Sequence, residues 1–286
     1  MTDTQNVMLP TIAMLGAGSM GRAILSGLTA PGVEVTGGIR VTNRSAARAA
    51  ELSGIPGVTA FATEQDGAAN RLAVDGAAIV IVAVKPAMVP DLLREIASSL
   101  NPGTIVVSVA AGVTVATFES LLPENVVVVR SMPNTPAVVG KAVTGISSGG
   151  RSEPEDLQLV RSLFETVGEV VEVPESQLDA LSTISGSGPA YVFFLVEALT
   201  AAAVEKGFTA EQARTLVNGT FLGASELLVA SGEDPAELRR RVTSPNGTTE
   251  RAIEVLASAD LPALFTRATD AALARAQELS RPAPTP

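Results

Sequence analysis

Apolar residues recur along this chain in two rhythms. Up to about Val173, short aliphatic runs alternate with longer amphipathic stretches; beyond Pro174 only the longer, Ala-rich kind remains. Thr11 to Leu15 predicts a buried strand and Ser19 to Ala30 a helix. Val33 to Thr42 predicts a second strand with Gly37-Gly38 inside it. Ala77 to Val84 is apolar throughout, as a strand covered on both faces must be. Thr104 to Val109 and Val126 to Arg130 predict two more strands, with helices at Met88 to Leu100 and Thr114 to Leu122. A Ser152/Glu155 capping signal opens a helix over Glu153 to Val167, and Val170 to Val173 gives a last strand. The alternation predicts an α/β fold: an N-terminal Rossmann-like, doubly wound parallel sheet over residues 1–173. An all-α C-terminal domain follows over 174–286, with no flexible linker between the two. Within it Tyr191 to Glu205 is apolar nearly all round, its polar residues being Glu197, Thr200 and Glu205. Such a helix has to be buried on most sides. The Pro-rich tail Arg281 to Pro286 predicts disorder.

Composition narrows the chemistry. The 286 residues are 46% hydrophobic and 17% charged, with a net charge of −10 and no basic run, which argues against a nucleic-acid partner. The start, Met1 to Leu9, lacks the basic and apolar regions of a signal peptide. The longest apolar stretch, Tyr191 to Val204, is interrupted by Glu197 and Thr200 and falls short of the roughly 18–20 residues of a membrane span. A soluble, cytoplasmic protein is expected, with no membrane partner and no metal site. There is no cysteine and no histidine, one tyrosine (Tyr191), and lysine only at 85, 141 and 206. Chemistry must therefore rest on a cofactor, on carboxylates or on hydroxyls.

Gly16-Ala17-Gly18-Ser19-Met20-Gly21 is a G-x-G-x-x-G motif that follows a strand and opens a helix. In that setting the glycines admit a pyrophosphate at the helix N-terminus. At the end of the second strand, Asn43-Arg44-Ser45 stands where an NAD enzyme carries an acid for the ribose 2′-hydroxyl. An arginine there can pair with a 2′-phosphate, which favours NADPH, with NADH still possible. Val84-Lys85-Pro86 and Arg130-Ser-Met-Pro-Asn-Thr-Pro136 follow strands and predict loops at the same sheet edge. Further on come Ser185-Gly-Ser-Gly-Pro-Ala-Tyr191 and Ser244-Pro-Asn-Gly-Thr-Thr249. The second is a hydroxyl-rich turn running into a helix, a suitable seat for a small carboxylate.

Val84-Lys85-Pro86, Met132-Pro-Asn-Thr-Pro136 and these last two motifs occur in the order and spacing of pyrroline-5-carboxylate reductase, and the chain resembles that family over residues 10–280. The resemblance implies reduction of 1-pyrroline-5-carboxylate to L-proline by NAD(P)H, the last step of proline biosynthesis. It also implies a helical domain that binds substrate and interleaves with its twin in a homodimer or higher oligomer. By similarity Gly16 to Gly21 hold the pyrophosphate, Asn43, Arg44, Ser45 and Asn70 lie on the adenosine side, and Ala83, Val84, Lys85, Pro86, Val109, Ala110 and Ala111 line the cofactor further in. Glu175 matches an acid near the substrate. Ser244, Gly247, Thr248 and Thr249 match the substrate loop, with the Thr249 hydroxyl at the ring nitrogen. One departure is Asn246, where the family has glycine; Asn tolerates a positive φ, so the turn is expected to survive.

For Glu175 two roles stay open: favouring the iminium by its charge, or capping the helix that starts near 175. Two other functions also stay open. A β-hydroxyacid dehydrogenase shares the two-domain plan but uses a lysine on the long helix, and none lies between Lys141 and Lys206. A non-catalytic NADP sensor would keep the fingerprint without needing the loop at 244–249.

Overall fold

The computed structural model describes residues 7–280. The tail Arg281 to Pro286 and most of the N-terminal segment lie outside them. The elements run β1 (Val7–Leu9), β2 (Ile12–Leu15), α1 (Ser19–Leu28), β3 (Val33–Val35), β4 (Ile39–Asn43), α2 (Ala46–Ser53), β5 (Val58–Ala62), α3 (Ala69–Val74), β6 (Ile79–Val82), α4 (Val89–Ile96), β7 (Ile105–Ser108), α5 (Val115–Leu121), β8 (Val127–Met132), β9 (Ala142–Ser148), α6 (Pro154–Glu165) and β10 (Gly168–Glu172). Helices follow: α7 (Glu175–Leu181), α8 (Gly188–Glu205), α9 (Ala210–Ser231), α10 (Pro235–Arg241), α11 (Thr248–Ser258) and α12 (Leu261–Ser280). A π turn, Ser182–Gly186, stands between α7 and α8.

The main sheet has eight strands in the order β10-β9-β8-β7-β6-β2-β4-β5, and β1 pairs with β3 in a separate two-stranded sheet. All neighbours in the main sheet are parallel except β8 and β9. The chain forms two compact units. One ends at Ser187 and takes in the chain again from Leu273; the other is Gly188–Ala272.

The period of two along each strand divides the core of the first unit. Ile12, Met14, Ile79, Ile81, Ile105 and Val107 face α1 and α6, where Ile24, Leu28, Leu163 and Phe164 complete the packing. Ala13, Leu15, Val80, Val82 and Val106 face the other way, onto Ala73 of α3, Leu93 and Ile96 of α4 and Phe118 of α5. Two covered faces explain why these strands read as unbroken apolar runs.

Several sequence expectations change. The single strand expected over Val33 to Thr42 is two, β3 and β4, broken by a turn in which Gly37 and Gly38 both hold positive φ. Three strands are new: β1, β5 and β9. In β9, Gly145 and the hydroxyls of Thr144, Ser147 and Ser148 dilute the apolar signal; only its place in the sheet makes it a strand. The cap of α6 is not Ser152 with Glu155. Glu153 is the N-cap and its N–H donates to Asp156, at 2.9 Å, while the Ser152 hydroxyl donates to the Val128 carbonyl, at 2.8 Å. Finally, α7, the π turn and α8 join into one helical run, Glu175–Glu205, long and apolar enough by length and composition to cross a membrane. The apolar stretch is thus longer than its sequence interruptions suggest, and its α8 part has no buried residue in one chain.

Candidate functional site

Strand C-termini of β2, β4 and β6 open on a cleft of about 330 Å³ lined by Gly16, Thr42, Asn43, Arg44, Thr63, Asn70, Val84, Ala87, Met88, Asp91, Leu92 and Glu95. It lies where the strand order turns, β2 having β4 on one side and β6 on the other. Open α/β sheets place their ligands at such a point. Five of the residues expected from the sequence line this cleft: Gly16, Asn43, Arg44, Asn70 and Val84.

The fingerprint fits a dinucleotide by its geometry. Gly16 turns at φ +94°, and a Cβ there would stand 2.7 Å from the Ala83 carbonyl oxygen. A Cβ on Gly21 would stand 2.5 Å from the Gly16 oxygen, so the loop closes onto α1 only with glycine. Gly18 differs. It is the N-cap of α1, and a Cβ there would meet nothing within 4 Å: the backbone faces open space at a helix N-terminus. That is the cradle a pyrophosphate needs. Ala17 is buried beside it, and Ser19, Met20 and Gly21 form the first turn of α1.

Asn43 ties the loop to the adenosine side. Its Nδ2 donates to the Ala17 carbonyl, at 3.4 Å, and its Oδ1 accepts the Ser45 N–H, at 3.3 Å. Ser45 is the N-cap of α2 but its side chain makes no cap; the Ala46 N–H donates to Glu64 instead, at 2.6 Å. Arg44 is exposed and, among the described residues, makes no ion pair, so its guanidinium is available to a ligand. Ala83 follows β6, its N–H donating to Leu15, and Lys85 is the exposed N-cap of a short 3-10 turn begun by Pro86. Val109, Ala110 and Ala111 follow β7; the Val109 N–H donates to Val82 and the Ala110 N–H to the Ser108 hydroxyl, at 3.3 Å. These seven residues, 83–86 and 109–111, thus sit at the C-terminal edge of two adjacent strands, though of them only Val84 lines the cleft itself.

Glu175 does not cap its own helix, whose N-cap is Pro174. Its Oε1 accepts the N–H of Val115, the first residue of α5, at 2.7 Å, and a bond from Arg130, at 3.2 Å. The carboxylate therefore caps a neighbouring helix. Arg130 also donates to Asp179, at 2.9 Å, and is only 6% exposed. Sequence reasoning passed over Arg130 as the mere start of a polar loop; the available signal was a cation ending the apolar run Val126 to Val129. Asn134, from the same loop, donates to the Ser185 carbonyl and accepts the Val143 N–H, both at 2.9 Å. So α7 and the turn after it are bound to the sheet by an ion network at one end and an amide at the other.

In the helical unit, the segment before α11 forms a tight turn. Asn246 holds φ +58°, as expected of an asparagine in a glycine position. The Gly247 N–H is used by the turn itself, donating to the Ser244 carbonyl, at 3.0 Å, and the Asn246 N–H donates to Glu250, at 2.8 Å. Gly247 is the N-cap of α11 and offers no side chain, so the first amides of the helix, at Thr248 and Thr249, have no acceptor in the described residues. Thr249 is half-buried and its hydroxyl likewise has no partner there. Tyr191, in the first turn of α8, stands edge-on to Phe265, ring centroids 6.4 Å apart.

Sheet order, glycine cradle and adenosine-side arginine together define the first unit as that of a dinucleotide-dependent oxidoreductase. Residues 11–112 match the family profile "NADP oxidoreductase coenzyme F420-dependent", and 175–279 match "Pyrroline-5-carboxylate reductase dimerisation". A pyrroline-5-carboxylate reductase of Corynebacterium melassecola is 39% identical over 276 residues, which cover 96% of this chain and 100% of the relative. That of Escherichia coli is 35% identical over 270 residues, covering 94% and 98%. Among solved structures, a pyrroline-5-carboxylate reductase from Coxiella burnetii is 37% identical with a TM-score of 0.87, over 98% of this chain and 100% of that one. The fold is also that of the Plasmodium falciparum pyrroline carboxylate reductase with NADP bound, at 23% identity, TM-score 0.79 and coverage of 97% and 99%. The chain belongs to the pyrroline-5-carboxylate reductase family.

Proposed function

We propose that this protein reduces 1-pyrroline-5-carboxylate to L-proline with NADPH, NADH being the weaker donor, as the last step of proline biosynthesis. The observation that carries the reading is the pairing, in one chain, of a glycine-cradled cleft at the sheet edge with a separate helix N-terminus whose amides and hydroxyl at Thr248 and Thr249 are unengaged. When bound, the nicotinamide supplies the hydride. Gly16 to Gly21 hold the pyrophosphate; Asn43, Arg44, Ser45 and Asn70 hold the adenosine end; residues 83–86 and 109–111 line the cofactor further in.

The substrate carboxylate sits on the amides of Thr248 and Thr249, where the helix dipole favours an anion. Ser244 and Gly247 shape that seat through their turn. The Thr249 hydroxyl meets the ring nitrogen. A protonated imine is already an electrophile, so a chain without histidine or cysteine can act by positioning and electrostatics. Glu175, at the substrate side, acts through the order it gives α5 and α7.

The domain boundary is placed at 173/174, with 1–173 for the dinucleotide and 174–286 for substrate binding and dimerisation. The exposed apolar surface of α8 is covered by a twin subunit rather than by lipid, giving a soluble cytoplasmic homodimer or larger assembly. The test is loss of nicotinamide absorbance on adding 1-pyrroline-5-carboxylate, with proline formed in equal amount. Binding of both ligands without turnover would favour a sensor, and turnover of a β-hydroxyacid in its place a dehydrogenase of that kind.

A further inference from the structure

The cleft also holds a carboxylate to which the proposed reaction gives no task. Asn70, in the first turn of α3, and Glu95, in the last turn of α4, both line it. The Asn70 Nδ2 stands 3.1 and 3.3 Å from the two Glu95 oxygens. A carboxylate only accepts hydrogen bonds, so Glu95 fixes which way the Asn70 amide is turned. Nδ2 is held toward Glu95, and Oδ1 is left as an acceptor, the group that suits a ribose hydroxyl or an adenine amino group.

The charge of Glu95 is the second part of the observation. Of the two carboxylates on the cleft, Asp91 is paired with Arg94, at 2.8 Å. Glu95 makes no ion pair among the described residues, and the cleft's one lining cation among them is Arg44. Arg44 and Glu95 line one cleft of about 330 Å³, and physiological salt screens charges gradually, over a Debye length of ~8 Å. A charge on one wall is therefore felt by an anion on the other.

We infer that Glu95 is a specificity-determining residue of this cleft. Its hydrogen bond positions Asn70 for either dinucleotide, and its unpaired charge opposes the 2′-phosphate that Arg44 attracts. Selectivity at the adenosine end is then a balance between Arg44 and Glu95. The inference rests on the reading of this cleft as the NAD(P)H site.

The test is direct binding of NADPH and of NADH to the full-length chain, by calorimetry, for wild type, Glu95→Gln, Glu95→Leu and Arg44→Ala, with melting temperatures as a check on folding. Glu95→Gln keeps an acceptor for Asn70 and removes only the charge. It is expected to lower the NADPH Kd about threefold and leave the NADH Kd unchanged, the gain disappearing in about 1 M salt. Glu95→Leu removes the hydrogen bond as well. It weakens NADH severalfold and NADPH less, so the NADPH-to-NADH affinity ratio rises in both variants. If Glu95→Gln leaves that ratio unchanged, or lowers it, the inference is overturned. Should Arg44→Ala lose NADPH affinity while Glu95→Gln changes nothing, the cofactor reading stands and only the role of Glu95 falls. If wild type binds neither dinucleotide, the cofactor reading itself falls. Should Glu95→Leu fail to fold, the isosteric Glu95→Gln still decides.

Discussion

The two units of this chain bury their apolar residues to very different degrees. In the first, every residue of β2, β6 and β7 is buried, and α4 and α6 cover them with Leu93, Ile96, Leu163 and Phe164. In Gly188–Ala272 only Ala213 and Val217 are buried. On α8, apolar nearly all round, Phe193 is 67% exposed and Phe194 69%, and on α9 Val229 is 86% exposed. A sheet with helices on both faces satisfies its own hydrophobic surface; a few helices with apolar residues on every side cannot. The first unit is complete in one chain. The second leaves most of its apolar side chains exposed in one chain, and in the proposed assembly a second copy covers them.

That contrast can be broken or sharpened by experiment. The largest effect is expected from Phe194→Glu. A Phe contributes about 1.5–3 kcal/mol when fully buried, and a buried unpaired charge costs several more. Sedimentation should show dissociated chains with loss of helical signal and of activity. A variant that assembles and turns over like wild type would break the comparison from one side, and a folded, active wild-type monomer at sub-micromolar concentration from the other.

Within the complete unit, Arg130→Met leaves Glu175 and Asp179 without their cation. Breaking a buried pair costs roughly 3–5 kcal/mol, and the partial exposure of the two acids, 32% and 26% of their side chains, brings the expected loss to the lower end. Denaturant unfolding measures it, and a loss under about 1 kcal/mol would mean the network behaves as surface charge.

Arg44→Ala is next. It should cost about 1.5–3 kcal/mol of NADPH binding, roughly ten- to a hundredfold, and leave NADH nearly unchanged. Equal losses for both dinucleotides would show that Arg44 does not read the phosphate. In the helical unit, Thr249→Val keeps the shape of the side chain and removes its hydroxyl. It should lower kcat/KM by about 1–3 kcal/mol with NADPH affinity intact. Full activity would leave only the backbone amides in the assignment.

The smallest effect concerns the turn at φ +58°. Asn246→Ala should destabilise by about 1 kcal/mol, because alanine keeps the Cβ but loses the short polar side chain that eases asparagine into the left-handed region, whereas Asn246→Gly should be near neutral. If alanine is tolerated as well as glycine, the turn relaxes and does not hold the amides of Thr248 and Thr249 in place.

What the sequence alone determined is set by rules local in the chain. The runs at 12–15, 77–84 and 105–107 encode strands covered on both faces because no polar residue interrupts their period. The fingerprint encodes its turn because Gly16 and Gly21 have no room for a Cβ. Asn246 encodes a positive φ by its own side chain. Tertiary structure decided what depends on residues far apart. β9 became a strand only by pairing with β8 and β10, since its own composition is ambiguous. Glu175 found its partners 60 and 45 residues upstream, at Val115 and Arg130, so its place at the cap of α5 had no trace in the motif around it. Glu95 met Asn70 across 25 residues, because α3 and α4 lie side by side on one face of the sheet. A hydrogen bond or ion pair is a relation between two positions, and a single stretch of chain specifies only one of them.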